Sequence, residues 1–219
     1  MRLPLALIAA SLLLSGCHCK FKKYAPTLGE VRVQALVTGY PYVHLGRLIG
    51  PVDPEHAPLA AVATGVVNVV QGVREIEQTE RIARAVDLRV VNEALVGGFA
   101  EALGGGPPFG FSPADQGGNV MQIEVLSWGL DVPYLGAPGA FTYDLRVRIY
   151  TEEGERVYSS STTCAAGAGS PGAAEVVLGV VNNVAEIERM GDEEITSSFS
   201  SIAYWCGQEL VRKIRKHAG

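Results

Sequence analysis

Apolar and polar residues alternate most regularly over residues 141–149. Phe141, Tyr143 and every second residue onward to Ile149 are apolar, and the intervening positions are mostly polar or charged. This period of two predicts a strand with one core face and one polar face. Glu152-Glu153-Gly154-Glu155 then reads as a hairpin turn, and residues 156–164 as the returning strand.

Two further segments carry strand patterns. Within residues 31–37, valines and one alanine alternate with Arg32 and Gln34, and residues 119–130 are apolar first in one phase and then in the other. A phase change inside a strand predicts a β-bulge. The glycines and prolines of residues 38–58 and 104–118 predict loops.

Helical spacing dominates three other segments. From Arg74 onward, glutamates lie four residues before arginines, and Ile76, Ala83 and Val86 form an apolar stripe. Asp87 is a predicted N-cap for a helix over residues 88–103. Asp192 is a predicted N-cap for the last helix, whose inner stripe is Ile195, Phe199, Ile202, Cys206, Leu210 and Ile214.

Two valine-rich segments are ambiguous by pattern. Residues 59–73 fit a buried helix best, with a strand or a transmembrane helix as alternatives, and residues 173–189 stay unassigned. The order of elements predicts an α+β fold, with a mostly antiparallel sheet of about four strands and helices packed on one face. We expect residues 30–219 to form a single domain.

The first 17 residues have the pattern of an export signal. An apolar run of ten residues, Leu5 to Leu14, follows a short basic start and is too short to span a bilayer. It ends in Leu14-Ser15-Gly16-Cys17, which resembles the lipobox of bacterial lipoproteins. The resemblance implies that residues 1–16 are a signal peptide, that cleavage precedes Cys17, and that this cysteine carries lipid.

The lipoprotein resemblance also implies a location and a membrane partner. His18 follows the modified cysteine where an inner-membrane protein of enterobacteria would have Asp, so the outer membrane, facing the periplasm, is expected. Residues 17–29 are predicted as a lipid-attached tether. The order of elements is loosely similar to small envelope-assembly and auxiliary lipoproteins, and the segment from Phe141 to Tyr158 resembles uncharacterised lipoproteins, which imply no activity.

Charge excludes one class of partner. The chain has 18 basic and 23 acidic residues and a formal net charge of −5. Nucleic-acid binding needs clustered cations, so we expect no nucleic-acid partner. The one basic cluster, Lys20, Lys22 and Lys23, is either a solvated tether or a site for anionic headgroups.

Cysteine usage suggests one covalent link. With Cys17 lipidated, Cys19, Cys164 and Cys206 remain in a compartment that favours disulfides. Cys164 ends a strand that the last helix should cover, and Cys206 lies on the inner stripe of that helix. We therefore predict a Cys164–Cys206 disulfide, with two buried free thiols as the alternative.

No catalytic motif stands out. The four histidines lie far apart in sequence, and the nucleophile-elbow, phosphate-loop and dinucleotide-binding motifs are absent from the sequence. We expect no metal, no cofactor and no catalytic residue. The expected function is a binding or assembly module for an envelope protein; the alternative is a small anchored hydrolase of cell-wall material.

Two loops are apolar where loops are usually polar. They are residues 107–111 and 132–138. Exposed aromatic residues often mark interaction sites, which makes Tyr134 and Leu135 candidate partner contacts. The alternative is that both side chains pack onto the core of the domain.

Overall fold

A computed structural model describes residues 20–45, 58–104, 111–116, 118–132, 139–166 and 188–218. The predicted α+β class is confirmed. The strands are β1 (Gly29–Val37), β2 (Pro41–Leu45), β3 (Phe111–Ala114), β4 (Asn119–Val132), β5 (Ala140–Tyr150) and β6 (Arg156–Ala166). The helices are α1 (Pro58–Ala85), α2 (Leu88–Gly104) and α3 (Asp192–Ala218).

The sheet contains more strands than the sequence predicts. Its order is β3-β1-β4-β5-β6, and β2 also pairs with β4. The antiparallel ladders β4–β5 and β5–β6 contain more residue pairs than the three parallel ones, β1–β3, β1–β4 and β2–β4. Strands β2 and β3 lie in segments predicted as loops. Their prolines, Pro41 and Pro113, are tolerated because one begins a strand and the other lies on an edge strand.

Strands β1 and β2 follow the same edge of β4 as one interrupted strand. The predicted bulge is confirmed, since the β4–β5 register shifts between Val125 and Ser127. The interruption lies opposite this bulge, where the Gly39 amide donates to the Val125 carbonyl at 3.2 Å. A Cβ at Gly39 would overlap the carbonyl oxygen of Leu126, so the close approach requires glycine.

The core lies between the sheet and helices α2 and α3. The predicted inner stripe of α3 is confirmed, since all six of its side chains are buried. Phe199 packs edge-on against Trp128 and Phe141, with ring centroids 5.0 and 4.7 Å apart. The Tyr143 hydroxyl donates to the Phe199 carbonyl at 2.9 Å, which fixes α3 on the sheet.

Helices α2 and α3 are in close contact at two glycines. A Cβ at Gly98 would overlap the backbone of Tyr204, and a Cβ at Gly207 would overlap the backbone around Leu95. The backbones of the two helices therefore touch, as small residues at a crossing allow. The N-cap of α2 is as predicted: the Arg89 amide donates to the Asp87 carboxylate at 2.9 Å.

Helix α1 includes residues 59–73, so the helical interpretation of that segment is correct. No helix within the described ranges is long and apolar enough to cross a bilayer. The predicted stripe is wrong at Ile76 and Ala83, which are exposed, whereas Gln78 and Ile82 are buried. Of residues 173–189, all but the last two lie outside the described residues.

Three polar side chains of α1, within residues 71–79, hydrogen-bond to the edge of β2. The Val43 amide donates to the Thr79 hydroxyl at 3.1 Å, and the Leu45 amide donates to Glu75 at 2.7 Å. The Gln71 side chain donates to the Leu45 carbonyl. Helix side chains thus occupy the hydrogen-bonding groups that another strand would otherwise use.

Candidate functional site

The first described residues are packed onto the domain. Residues 20–24 are helical, and a 3-10 turn follows at Ala25–Thr27. The Phe21 side chain is fully buried, and its ring lies 4.4 Å from that of Tyr158, centroid to centroid. Ala25 and Leu28 are buried as well. The prediction of a tether through residue 29 is therefore wrong from residue 20 onward, because this short segment has its own apolar face.

Polar contacts hold the same segment against the β5–β6 turn. Lys20 Nζ lies 2.5 Å from Glu155 Oε1, and the Tyr24 hydroxyl donates to Glu155 Oε2 at 3.1 Å. These contacts, with that of Lys20 the stronger, lower the pKa of the Glu155 carboxyl below its usual range. Lys22 and Lys23 are exposed. The predicted basic cluster is thus divided between one ion-paired lysine and two exposed ones.

The N-terminal segment marks one end of the domain, which we call the lower end. Asn119, the first residue of β4, donates to the Leu28 carbonyl and accepts from the Glu152 amide at 3.0 Å. The starts of β1 and β4 and the β5–β6 turn therefore meet here. The C-terminal end of α3 joins them, since the Tyr158 hydroxyl and His217 Nδ1 are 2.7 Å apart. Burial raises the pKa of Tyr158 to about 12.

A groove extends from this end between β6 and the C-terminal half of α3. Its volume is about 540 Å³. Three of its lining side chains are cationic, namely Arg212, Lys213 and Lys216, and one, Glu209, is acidic. Lys213 Nζ donates to the Ser161 carbonyl at 2.5 Å, and Arg212 lies 2.7 Å from Glu209.

Sequence reasoning missed this groove. The basic last turn of α3 is a favourable complement to the helix dipole, so its cations have a local explanation that requires no binding site. The groove forms where α3 lies beside β6, which is an edge strand of the sheet among the residues that the structure describes. A signal was available in the clustering of Arg212, Lys213 and Lys216 within five residues of an otherwise acidic chain.

The predicted disulfide is not formed in the structure. Cys164 and Cys206 are both free and buried. They are nevertheless neighbours, as β6 and α3 were expected to bring them together. Burial, and then the hydrogen bond with Cys164, raises the pKa of the Cys206 thiol well above its ordinary value. The alternative of two buried free thiols describes this site.

The outward face of the sheet carries two charged networks. Glu124 lies 3.6 Å from Arg146 and 3.4 Å from Arg148. Asp144 accepts hydrogen bonds of 2.5 Å from the hydroxyls of Ser127 and Thr163. Each carboxylate is thus engaged by its own neighbours. Within the described ranges, no three His, Cys, Asp or Glu side chains are grouped so that they could hold a metal ion.

The remaining predicted site residues lie outside the described part of the chain. They are Cys17, Tyr134 and Leu135. The strands that flank Tyr134 and Leu135 do have a clear position: β4 ends at Val132 and β5 begins at Ala140, at the end of the sheet opposite the lower end.

Comparison with protein-family models, with curated proteins and with solved structures finds no match for this chain.

Proposed function

We propose that this protein is a lipid-anchored lipoprotein of the bacterial cell envelope, acting as a non-catalytic binding or assembly module held close to the membrane, on the periplasmic side of the outer membrane. The sequence Leu14-Ser15-Gly16-Cys17 supports the anchor. Two or more acyl chains on Cys17, each CH₂ contributing about 0.8 kcal/mol, give stable attachment.

The observation that carries the proposal is the burial of Phe21. Its ring packs on Tyr158, so the folded domain begins at or before Lys20, three residues after Cys17. Three extended residues span about 10 Å. A lipid on Cys17 would therefore hold the lower end of the domain against the bilayer.

Large exposed apolar side chains support a binding role. The side chain of Leu36 is 61% exposed and that of Tyr40 is 89% exposed. Both follow the start of β1 by seven or more residues, so they lie well away from the lower end. Exposed aromatic residues of this kind are common anchors in protein interfaces.

The anchor is tested by Cys17→Ala, with Cys19→Ala as the matched control. Cys17→Ala should leave an uncleaved precursor, or a protein that is no longer attached by lipid. Cys19→Ala should be cleaved and carry lipid, as mass spectrometry of the N-terminal peptide would show. A Cys17→Ala protein that is still cleaved at residue 17 and extracted only by detergent would reject the anchor.

The binding role is tested by photo-crosslinking in cells. A photoreactive residue at Tyr40 should give a discrete crosslinked band with an envelope protein. The same residue at Arg89, whose side chain is 89% exposed in the first turn of α2, is the control. No band at Tyr40, or identical bands at both positions, would reject this part of the surface as a contact.

A further inference from the structure

We infer that the groove between β6 and α3 binds the headgroups of anionic phospholipids in the membrane that carries the anchor. This inference rests on the proposed lipid anchor. It assigns to the domain a second, electrostatic contact with the bilayer, besides the acyl chains on Cys17.

The groove is positively charged, whereas the protein as a whole is negatively charged. The chain carries a formal net charge of −5. In the groove, Arg212, Lys213 and Lys216 face a single carboxylate, Glu209. Arg212 is ion-paired with Glu209 and Lys213 donates to the Ser161 carbonyl, while Arg212 and Lys216 are exposed, so the groove presents a net positive charge at the surface. A basic surface on an acidic protein is the complement that an anionic partner requires.

The position of the groove favours lipid over a soluble anion. Phe21, close to the anchoring residue, contacts Tyr158 with ring centroids 4.4 Å apart. Tyr158 in turn contacts His217, a residue of the groove, with ring centroids 5.9 Å apart. One shared side chain thus connects the segment that follows Cys17 to the lower part of the groove.

The lower end also carries some charges that raise its positive potential and others that lower it. Lys22 and Lys23 are exposed beside Phe21 and add to the positive potential. Lys20 forms an ion pair with Glu155, whereas the exposed carboxylates of Glu152 and Glu153 lower this positive potential. Basic residues within a Debye length of an anionic surface are attracted to it. Tyr158 contacts both Phe21, beside the two lysines, and His217 of the groove, so both sets of cations belong to the end of the domain that the anchor would hold near the bilayer.

The fluorescence of Trp205 can report lipid binding, because Trp205 lines the groove whereas Trp128 is buried in the core. The lipidated full-length mature protein would be reconstituted into phosphatidylcholine vesicles, with or without about 30% phosphatidylglycerol. Quenching of tryptophan emission by acrylamide would then be measured. Phosphatidylglycerol should reduce the quenching constant about two-fold. Trp205→Phe should abolish the difference, which would assign the signal to the groove.

Charge reversal tests the residues. Arg212→Glu with Lys216→Glu should remove the effect of phosphatidylglycerol, and Lys216→Glu alone should weaken it. The matched control is Arg84→Glu with Arg89→Glu, two exposed cations near the other end of α3, where Thr196 donates to the Ala85 carbonyl. This control should retain the full effect, and thermal melting should show that all variants are folded.

Four results would overturn the inference. They are equal quenching in both kinds of vesicle, an unchanged effect in the charge-reversed variant, equal protection by inorganic phosphate in phosphatidylcholine vesicles, and equal protection there by a polyglutamate peptide. The third would assign the groove to a soluble anion and the fourth to an acidic protein. Mass spectrometry of the same sample reports lipid on Cys17, so failure of the anchor is distinguished from failure of the groove.

Discussion

The carboxylate of Glu75 on helix α1 accepts a hydrogen bond from the backbone amide of Leu45 on strand β2, at 2.7 Å. One turn further along the helix, the Thr79 hydroxyl accepts a hydrogen bond from the backbone amide of Val43. An unpaired strand edge is a template for association with other chains. The polar side of α1 therefore both completes the hydrogen bonding of β2 and protects its edge.

Glu75→Leu should destabilise the protein by about 1–3 kcal/mol, because the buried Leu45 amide loses its acceptor. Thr79→Val should act in the same direction at Val43. Glu75→Gln retains a side-chain oxygen and should cost less. Urea unfolding measures the loss, and light scattering should show that Glu75→Leu also promotes self-association. Equal stability of the Leu and Gln variants would show that this hydrogen bond contributes nothing.

Phe21→Ala should destabilise the protein by about 3 kcal/mol, because a fully buried aromatic ring is removed from its contact with Tyr158. Detachment of the N-terminal segment should also make the bonds after Lys22 and Lys23 more sensitive to trypsin. Lys22→Ala is the control and should change stability by less than about 0.5 kcal/mol. Wild-type stability and proteolysis in Phe21→Ala would mean that the segment is not docked in solution.

Neighbouring glycines in α2 should respond in opposite ways to alanine. Gly98→Ala should cost about 3 kcal/mol, because the new Cβ overlaps the backbone of Tyr204 and forces α2 and α3 apart. Gly97→Ala has open space around it and should stabilise the helix by up to about 1 kcal/mol. Thermal melting of the two variants compares them directly. A shift in the same direction for both would contradict the close helix contact.

Cys164 and Cys206 should react with iodoacetamide at pH 8 only when the protein unfolds. The reactive species is the thiolate, and burial both excludes the reagent and raises the pKa of the Cys206 thiol. Peptide mapping by mass spectrometry, with and without urea, follows each cysteine separately. Rapid labelling of the native protein would contradict this burial, and a Cys164–Cys206 linked peptide would contradict the free thiols.

The elements that the sequence predicts correctly are those with local signals. The stripe of α3, the cap at Asp87 and the hairpin around Gly154 each depend on residues a few positions apart, and all three are present. The alternation over residues 141–149 is equally local. Its burial follows the predicted period, with Leu145 and Val147 inside and Arg146 half-exposed.

The features that were missed depend on residues distant in the chain. Glu75 and Thr79 face inward because their partner is the edge of a strand 30 or more residues away. Phe21 stands among lysines, so its neighbours indicated a solvated segment, whereas Tyr158 provides its apolar contact. The groove combines a helix face with a strand edge: the cation cluster of α3 indicates its charge, but no pattern within that helix could predict that β6 forms its other wall.

Only three residues separate Cys17 from Phe21 in the sequence, so a lipid on Cys17 would limit where this protein can act. Helix α3, with 27 residues, is about 40 Å long. If the cysteine carries lipid, only residues 17–19 connect the lipid to the docked N-terminal segment. The protein could then contact partners only within about the height of one domain from the bilayer. Any target that such an anchored protein captured would have to come within that height of the lipid surface, so the protein would act as a receptor at the membrane rather than as a bridge across the periplasm.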